Sequence, residues 1–245
     1  MQITWAAVFA DVAAAEFDTA ATFWAAVSGG ELGSPSGARH EFVPIVRPDE
    51  DPYVYLQRTG RAPGEPGWHL DLFVTDRAGA VAEAVGLGAQ VRHDGGGFVA
   101  LSTPAGQAFC LVSEQHHTRR PQPVTWPDGH QSLIDQICFD IPPDDVGGEV
   151  QFWAALTGWE RRGSDHAEFE RLLRPAGQPL RILLQRMDDP DTIRAHLDLS
   201  CDDTVAEVAR HERLGAQVVR RTEGWTTLRD PVGLLYCVTR RVPGR

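Results

Sequence analysis

Apolar and polar residues alternate along one short stretch of the chain, and this stretch occurs twice. Residues 68–76 and 195–203 both contain His-Leu-Asp-Leu, with a leucine at every second position. Side chains two positions apart share one face of a β-strand, so the alternation predicts a strand that buries its leucine face. His69 and Asp71 then share the opposite face in the first copy.

The second copy repeats this arrangement with His196 and Asp198, and its surroundings match as well. A short helical pattern follows each strand, then Leu-Gly-Ala-Gln-Val, then a Pro-x-Gly turn and a strand-like run that leads to Cys110 or Cys237. The spacing from histidine to cysteine is the same in both copies. We therefore infer a tandem duplication.

The rest of the hydrophobic pattern predicts an α+β fold. Each half has two helical patterns, and the runs between them alternate as strands do. Each half thus contains two βαβββ modules, which indicates a mixed sheet with helices on one face. Trp24 and Trp153 lie on apolar faces of two of these helices, and we expect both in the core. The predicted helices cover residues 14–28, 78–88, 146–156 and 204–214.

A linker is predicted between the halves. Residues 114–131 contain three prolines and show no periodicity, which is typical of a linker. The predicted domains are residues 1–115 and 132–245, with the linker at 116–131 and Trp126 as its anchor. We assign no role to the linker histidines His116, His117 and His130. The histidines expected to be exposed or in loops are His40, His93, His166 and His211.

Composition excludes several classes of partner. The net charge is −11 and no Lys/Arg cluster is present, so we expect no nucleic-acid binding. No run of 18 apolar residues occurs, so we expect no membrane span. The N-terminus has no signal-peptide pattern, and we expect a cytoplasmic protein. The four cysteines are predicted to be reduced thiols because the chain is expected to be cytoplasmic, with disulfides as the alternative. No C-x-x-C pair occurs among them, which argues against a structural zinc site.

These motifs together resemble a known superfamily. A Phe-Trp-Ala-Ala helix end, the His-Leu-Asp-Leu strand, a Leu-Gly-Ala helix end and a Pro-x-Gly strand with cysteine occur once per half. They resemble the vicinal oxygen chelate superfamily, which includes glyoxalases, bleomycin resistance proteins and extradiol dioxygenases. The glyoxalase-like group is the most similar. The resemblance implies that two βαβββ modules form a curved sheet around a cup in each half.

The resemblance also implies positions for metal ligands on four strands of each cup. The fifth-strand histidine of the superfamily falls on His69 and His196. The remaining three positions fall on residues that are not the usual ligands. These are Gln57 and Gln185 on the fourth strand, Cys110 and Cys237 on the eighth, and a site near Ala7 and Gln136 on the first. Because a catalytic metal needs about three imidazole or carboxylate ligands, we expect no cofactor, with a divalent metal (Zn, Fe, Ni or Mn) as the alternative.

Strand alternation predicts what else lines the two cups. The first cup is predicted to be aromatic, which suits a planar or apolar ligand. The second is predicted to be more polar, which suits an oxygen-rich or anionic ligand. The predicted lining residues, besides the His/Asp pairs and cysteines, are Trp5, Phe9, Tyr53, Tyr55 and Gln57 in the first half and Gln136, Arg181 and Gln185 in the second.

Two hypotheses for function follow. In the first, the protein binds a small molecule in a His/Asp-lined cup without a complete metal site, in the manner of bleomycin resistance proteins. In the second, it is an enzyme. The catalytic candidates are His69, Asp71, His196 and Asp198, acting as metal-free acid/base pairs of an isomerase or lyase or within a divergent metal-dependent lyase or dioxygenase. A His–Asp hydrogen bond that only satisfies buried polar groups is an alternative for each pair. For assembly we expect a monomer with two pseudo-symmetric domains or a homodimer.

Overall fold

The order of strands and helices repeats four times along the chain. This computed structural model describes residues 1–164, 166–188 and 193–244. The elements of the first half are β1 (Ile3–Ala13), α1 (Phe17–Ser28), β2 (Glu31–Leu32), β3 (Phe42–Val46), β4 (Val54–Thr59), β5 (Gly67–Val74), α2 (Arg77–Gly86), β6 (Gln90–Asp94), β7 (Phe98–Ser102) and β8 (Ala108–Ser113).

The second half follows the same plan after one added strand. Its elements are β9 (Val124–Thr125), β10 (Gln131–Ile141), α3 (Val146–Thr157), β11 (Glu160–Gly163), β12 (Phe169–Leu173), β13 (Arg181–Arg186), β14 (Arg194–Cys201), α4 (Thr204–Arg213), β15 (Gln217–Arg221), β16 (Trp225–Arg229) and β17 (Leu235–Arg240). Each half therefore contains two βαβββ modules, as predicted.

Each half forms one mixed sheet. The strand order is β2-β3-β4-β1-β5-β8-β7-β6 in the first half and β11-β12-β13-β10-β14-β17-β16-β15 in the second. The strands β5 and β8 run parallel, as do β14 and β17, while the outer strands pair antiparallel. The α+β fold class is confirmed.

Local sequence sets the ends of the helices. Asp76 and Asp203 precede α2 and α4, and each carboxylate accepts hydrogen bonds from the first-turn amides, which is the usual N-cap arrangement. Gly29 ends α1 in the left-handed conformation, with φ of 64°, which glycine adopts without steric cost. The first helix begins at Phe17 rather than at residue 14.

Contacts divide the chain into two compact units, each drawn from both halves. The first unit contains Met1–Val8, His69–Thr118 and Ile137–Ala195. The second contains Phe9–Trp68, Arg119–Gln136 and His196–Arg245. The two compact units do not coincide with the two halves of the repeat. The domain boundaries predicted from the sequence therefore stay a prediction.

A buried tryptophan anchors a helix in each unit. In the second unit, Trp24 Nε1 on α1 donates to Asp230 Oδ2 at 2.9 Å, and Asp230 Oδ1 accepts from the amide of Leu234 at 2.8 Å. In the first unit, Trp153 Nε1 on α3 donates to Glu149 at 3.1 Å. Both indoles are fully buried, as predicted, and a buried N–H needs such an acceptor.

Burial raises the pKa of the two carboxylates that receive these indoles, Glu149 and Asp230. Glu149 also accepts from the amide of Ala105 at 3.0 Å. The carboxylate thus comes from the helix itself in one unit and from the Pro-x-Gly turn in the other. Each unit therefore supplies a buried carboxylate as the acceptor for its indole N–H, but from a different position in the sequence.

Two further predictions concern membrane-spanning helices and the cysteine thiols. Among the described residues, no helix is both long enough and apolar enough to cross a bilayer. All four cysteines are buried and none forms a disulfide, which confirms the prediction of reduced thiols.

Candidate functional site

The first-half cluster consists of His69, Asp71 and Cys110. His69 and Asp71 lie two residues apart on β5, and the parallel register sets Asp71 beside Cys110 of β8. His69 Nε2 lies 3.2 Å from Asp71 Oδ1. All three side chains are buried, and their potential ligand atoms lie within 4.8 Å of one another. Strand alternation therefore brings the predicted pair together with the predicted cysteine.

The second-half cluster repeats this geometry with His196, Asp198 and Cys237. His196 Nε2 lies 3.4 Å from Asp198 Oδ1, and Asp198 pairs with Cys237 across β14 and β17. The potential ligand atoms again lie within 4.8 Å. Cys237 Sγ also lies 3.4 Å from Thr227 Oγ1. Both halves thus carry the same three side chains in the same arrangement.

The carboxylates of the two clusters differ in their hydrogen bonds. In the second half, Gln136 Nε2 of β10 donates to Asp198 Oδ2. In the first half, Asp71 Oδ1 is buried and accepts no hydrogen bond from any residue that the structure describes. Asp71 as a whole is 6% exposed.

Strand pairing shows why the first carboxylate lacks this donor. The amide of Thr75 donates to the Gln2 carbonyl at 3.3 Å, and the amide of Asp202 donates to the Gln131 carbonyl at 3.2 Å. These equivalent bonds align the first strand of each half, so Ala7 stands where the second half has Gln136. An alanine has no side-chain donor, so Asp71 lacks the glutamine donor that Asp198 has.

The thiol of Cys110 is electrically neutral at ordinary pH. Burial and the nearby negative charge of Asp71 raise its pKa to about 12. A thiolate is the form that binds metals and attacks electrophiles. Cys110 therefore behaves as a small buried side chain beside the His/Asp pair.

An aromatic group lies on the same face of β5 as the first cluster. Trp5 stacks on His117, with ring centroids 5.2 Å apart and planes 16° apart. Phe73 meets the same imidazole edge to face at 4.9 Å. Trp5 was predicted as a lining residue, whereas His117 was assigned no role. Nothing in the linker pattern could have identified it, because the contact depends on the path of a segment without periodicity.

The other predicted first-half residues lie elsewhere on the sheet. Tyr55 stacks on Phe9 at 4.5 Å, so the two share a face as predicted. The Tyr53 hydroxyl donates to the Ile134 carbonyl at 2.9 Å, which uses that hydroxyl within the fold. Gln57 pairs with Phe42 in the register of β3 and β4.

The remaining second-half residues lie on β13. The Cys138 thiol donates to Gln185 Oε1 at 3.7 Å, so Gln185 contacts the neighbouring strand β10. Arg181 begins that strand and is half-buried.

Two histidines expected to have no role or to be exposed belong to a buried network. His211 is completely buried, so the prediction of an exposed or loop position is wrong. Glu207 Oε2 lies 2.7 Å from His130 Nε2, and Glu207 Oε1 lies 3.1 Å from His211 Nε2. Arg210 also donates to Glu207 and lies 3.5 Å over the Trp126 ring, so Trp126 does anchor the linker.

Sequence comparison identifies the family. A sequence profile described as the glyoxalase-like domain matches residues 7–112 and again 136–239. The chain belongs to the glyoxalase-like domain family. It is therefore a member of the vicinal oxygen chelate superfamily, as its motifs indicate. The two matches begin at Ala7 and Gln136, the two residues that distinguish the clusters. A search among curated proteins found no match.

Solved structures show the same fold in this glyoxalase-like chain. It is similar to the Mn(II)-bound glyoxalase from Novosphingobium aromaticivorans, with 19% identity and a TM-score of 0.67 over 98% of this chain and 82% of that one. An extradiol ring-cleaving dioxygenase from B. fuscum has 14% identity and a TM-score of 0.65, covering 98% and 72%. A halotolerant catechol dioxygenase has 15% identity and a TM-score of 0.61, covering 100% and 89%. These likenesses establish the fold.

The donor chemistry of the glyoxalase-like clusters does not fit a hard divalent metal such as Mn(II). Each cluster offers one imidazole, one carboxylate and one thiol, whereas manganese favours oxygen donors and non-haem iron favours two imidazoles with a carboxylate. A thiol, imidazole and carboxylate match zinc in kind, but the Cys110 thiol, with its pKa raised to about 12, must first lose a proton. In the second half, Asp198 already accepts from Gln136.

Proposed function

We propose that the protein binds a small molecule in its first half, without a metal, through a hydrogen bond to Asp71. The observation that supports this is the buried Asp71 Oδ1, which makes no hydrogen bond. Leaving a buried acceptor unsatisfied costs about 1–3 kcal/mol, so buried polar groups in native proteins nearly always have a partner. A ligand O–H or N–H group would supply the missing donor.

The second half supports the same interpretation by contrast. There the equivalent carboxylate accepts from Gln136, so its donor is built into the chain. The first half has Ala7 in place of Gln136, so its carboxylate has one internal donor fewer than the carboxylate of the second half. The ligand must carry a donor at this position, which argues against a bare anion.

The shape of the ligand follows from the neighbouring rings. Phe73 lies two residues beyond Asp71 on β5, and Trp5 lies beside Phe73, since both contact His117. Side chains two apart on one strand face lie about 7 Å apart, which is the scale of one aromatic ring with its substituent. A flat ring that bears hydroxyl groups fits this arrangement. Catechol is a suitable probe, since a structural relative is a catechol dioxygenase.

The test is calorimetric titration of catechol into metal-free protein under anaerobic conditions. We expect binding by the wild type and no binding of 1,2-dimethoxybenzene, which has no donor. Ala7→Gln should weaken catechol binding about tenfold or more, equivalent to about 1.4 kcal/mol, because it gives Asp71 an internal donor. Since Ala7 is fully buried, Asp71→Leu serves as a second variant of similar size.

The matched controls are the second-half variants Gln136→Ala and Asp198→Leu, which should bind catechol as the wild type does. Equal affinity in Ala7→Gln, Asp71→Leu and the wild type would refute the proposal. Loss of binding in the Asp198→Leu variant instead would move the site to the second half. Metal analysis of the same samples checks that binding does not depend on zinc or manganese.

A second candidate function is metal-free proton transfer. The 3.2 Å approach of His69 Nε2 to Asp71 Oδ1 favours it, because a nearby carboxylate stabilises the positive charge that an imidazole gains when it takes up a proton as a general base. Deuterium exchange at the carbon acid of hydroxyacetone, lost in His69→Ala, would establish this activity. Binding without exchange supports the first candidate.

A further inference from the structure

We propose that His117 is a displaceable cap on the first-half site, which leaves Trp5 and Phe73 when a ligand ring takes its place. This inference rests on the proposed function and adds a way to control it. The cap is the segment of residues 115–118, between β8 and the rest of the linker.

The imidazole occupies the position in which a flat ligand would stack. It lies nearly parallel to Trp5, with centroids 5.2 Å apart, and meets Phe73 edge to face at 4.9 Å. Aromatic rings prefer these two arrangements. A ligand ring that replaces the imidazole would regain both contacts and would also reach Asp71. The free energy of stacking therefore changes little when a ligand ring replaces the imidazole. The hydrogen bond to Asp71 then favours the ligand.

The backbone around His117 is suited to movement. The segment has no helix or strand, and Gln115, His116 and Thr118 are exposed. It is held at both ends: the Glu114 amide donates to the Val74 carbonyl at 3.0 Å, and the Arg119 amide donates to Asp51 Oδ2 at 2.8 Å. Segments with exposed backbone and few buried contacts open most readily. The cap can therefore lift without release of its ends.

In the described part of the second half, the two positions equivalent to Trp5 and Phe73 carry no aromatic ring that could hold such a cap. Ile134 and Ser200 stand where the first half has Trp5 and Phe73, and the Ser200 hydroxyl donates to the Leu133 carbonyl at 3.3 Å. The aromatic cap thus occurs in the same half as the unsatisfied carboxylate. This coincidence links His117 to the binding site rather than to general packing.

The experiment compares catechol binding by the wild type, His117→Ala and the control His116→Ala, whose side chain is exposed. If the cap is closed nine-tenths of the time, its removal should tighten binding about tenfold, since apparent affinity scales with the competent fraction. His116→Ala should match the wild type. In proton NMR, the His117 ring signals, assigned by their loss in His117→Ala, should move towards ordinary histidine positions as catechol is added.

The possible outcomes distinguish failure of the cap proposal from failure of the proposed binding function. Weaker binding by His117→Ala would mean that the imidazole contacts the ligand, and it would overturn the cap. Catechol binding that depends on Asp71 but leaves the His117 signals unchanged would also overturn it, with the proposed function intact. Binding by His117→Ala alone would support a tightly closed cap. No binding by either protein would reject the proposed function and the cap with it.

Discussion

The interface between helix and sheet is apolar in the first half and polar in the second. The fourth and eighth residues of α2 are Ala80 and Ala84, both buried, near the buried Phe109 of β8. The same positions of α4 and β17 hold Glu207, His211 and Tyr236, which are equally buried. One backbone therefore tolerates either alanine packing or a hydrogen-bonded charge network.

The difference shows what each half relies on for stability. Alanines need no partner, so the first-half interface depends on close packing alone. The second-half network depends on every member, because a buried charge without its partners is costly. His211 Nδ1 lies 3.0 Å from the Tyr236 hydroxyl, which completes the network. The predictions that follow test this asymmetry and the one between Asp71 and Asp198.

The largest effect is expected from Glu207→Ala. Its removal leaves Arg210, His130 and His211 without their shared acceptor, and breaking a buried ion pair costs about 3–5 kcal/mol. Urea denaturation at pH 7 measures the free energy of unfolding. The control is Glu212→Ala, on the exposed side of the same helix, which should change stability by less than about 0.5 kcal/mol. Similar values for the two variants would show that the network contributes little.

A smaller effect is expected from exchanging the residues that distinguish the two clusters. Gln136→Ala removes the donor to Asp198 and should lower the free energy of unfolding by about 1–3 kcal/mol. Ala7→Gln supplies a donor to Asp71 and should be less destabilising, because the new hydrogen bond offsets part of the strain of the larger side chain. Thermal and urea unfolding of both variants measures this. Equal losses would remove the proposed difference between the two carboxylates.

The smallest effect is a dependence of stability on pH that the second-half network causes. Its hydrogen bonds hold the pKa of Glu207 below the ordinary value of 4.5, so its contribution is present above pH 4.5 and is lost as the pH falls. Burial lowers the pKa of His211 below 6.5, and its contribution is likewise lost in acid once the unfolded chain takes up the proton. We therefore expect stability to fall as the pH decreases from 7 to 4.

His130 acts in the opposite direction and at higher pH. Hydrogen bonds to Glu207 and Asp128 raise its pKa, so its contribution is present below 6.5 and is lost as the pH rises through the folded value. Urea midpoints between pH 4 and 8 should show the acid loss in the wild type and a smaller loss in His211→Ala. An unchanged acid slope in that variant would contradict the role given to His211.

The fold could be predicted because its signals are local and occur twice. The His-Leu-Asp-Leu alternation, the glycine after α1 and the Asp caps of α2 and α4 each act within a few residues of sequence. Strand alternation predicts that His69 and Asp71 share a face, and the resemblance assigns His69 and Cys110 to the same cup, so the cluster of these three residues could also be predicted.

The missed functional features depend on partners that are far apart in sequence. His211 was predicted to be exposed because histidine is a polar residue type. Its hydrogen-bond partners Glu207 and Tyr236 allow it to be buried in the core. His117 lies in a segment without a pattern, and its position depends on Trp5 at the other end of the half. Asp71 lacks the glutamine donor of the second half because position 7 is alanine, which is an ordinary core residue in any sequence pattern. Charge balance and hydrogen-bond completion are properties of the folded chain, so strand alternation cannot reveal them.

The bond from Trp24 to Asp230 has a consequence for how the protein is made. The two residues are 206 positions apart, so α1 leaves the ribosome long before its acceptor is translated. Translation proceeds at about 5–20 residues per second. The acceptor of the Trp24 indole is therefore synthesised roughly 10–40 s after α1. We expect the nascent chain to rely on chaperones during this interval, and the second compact unit to fold fully only after residues 196–245 have been translated.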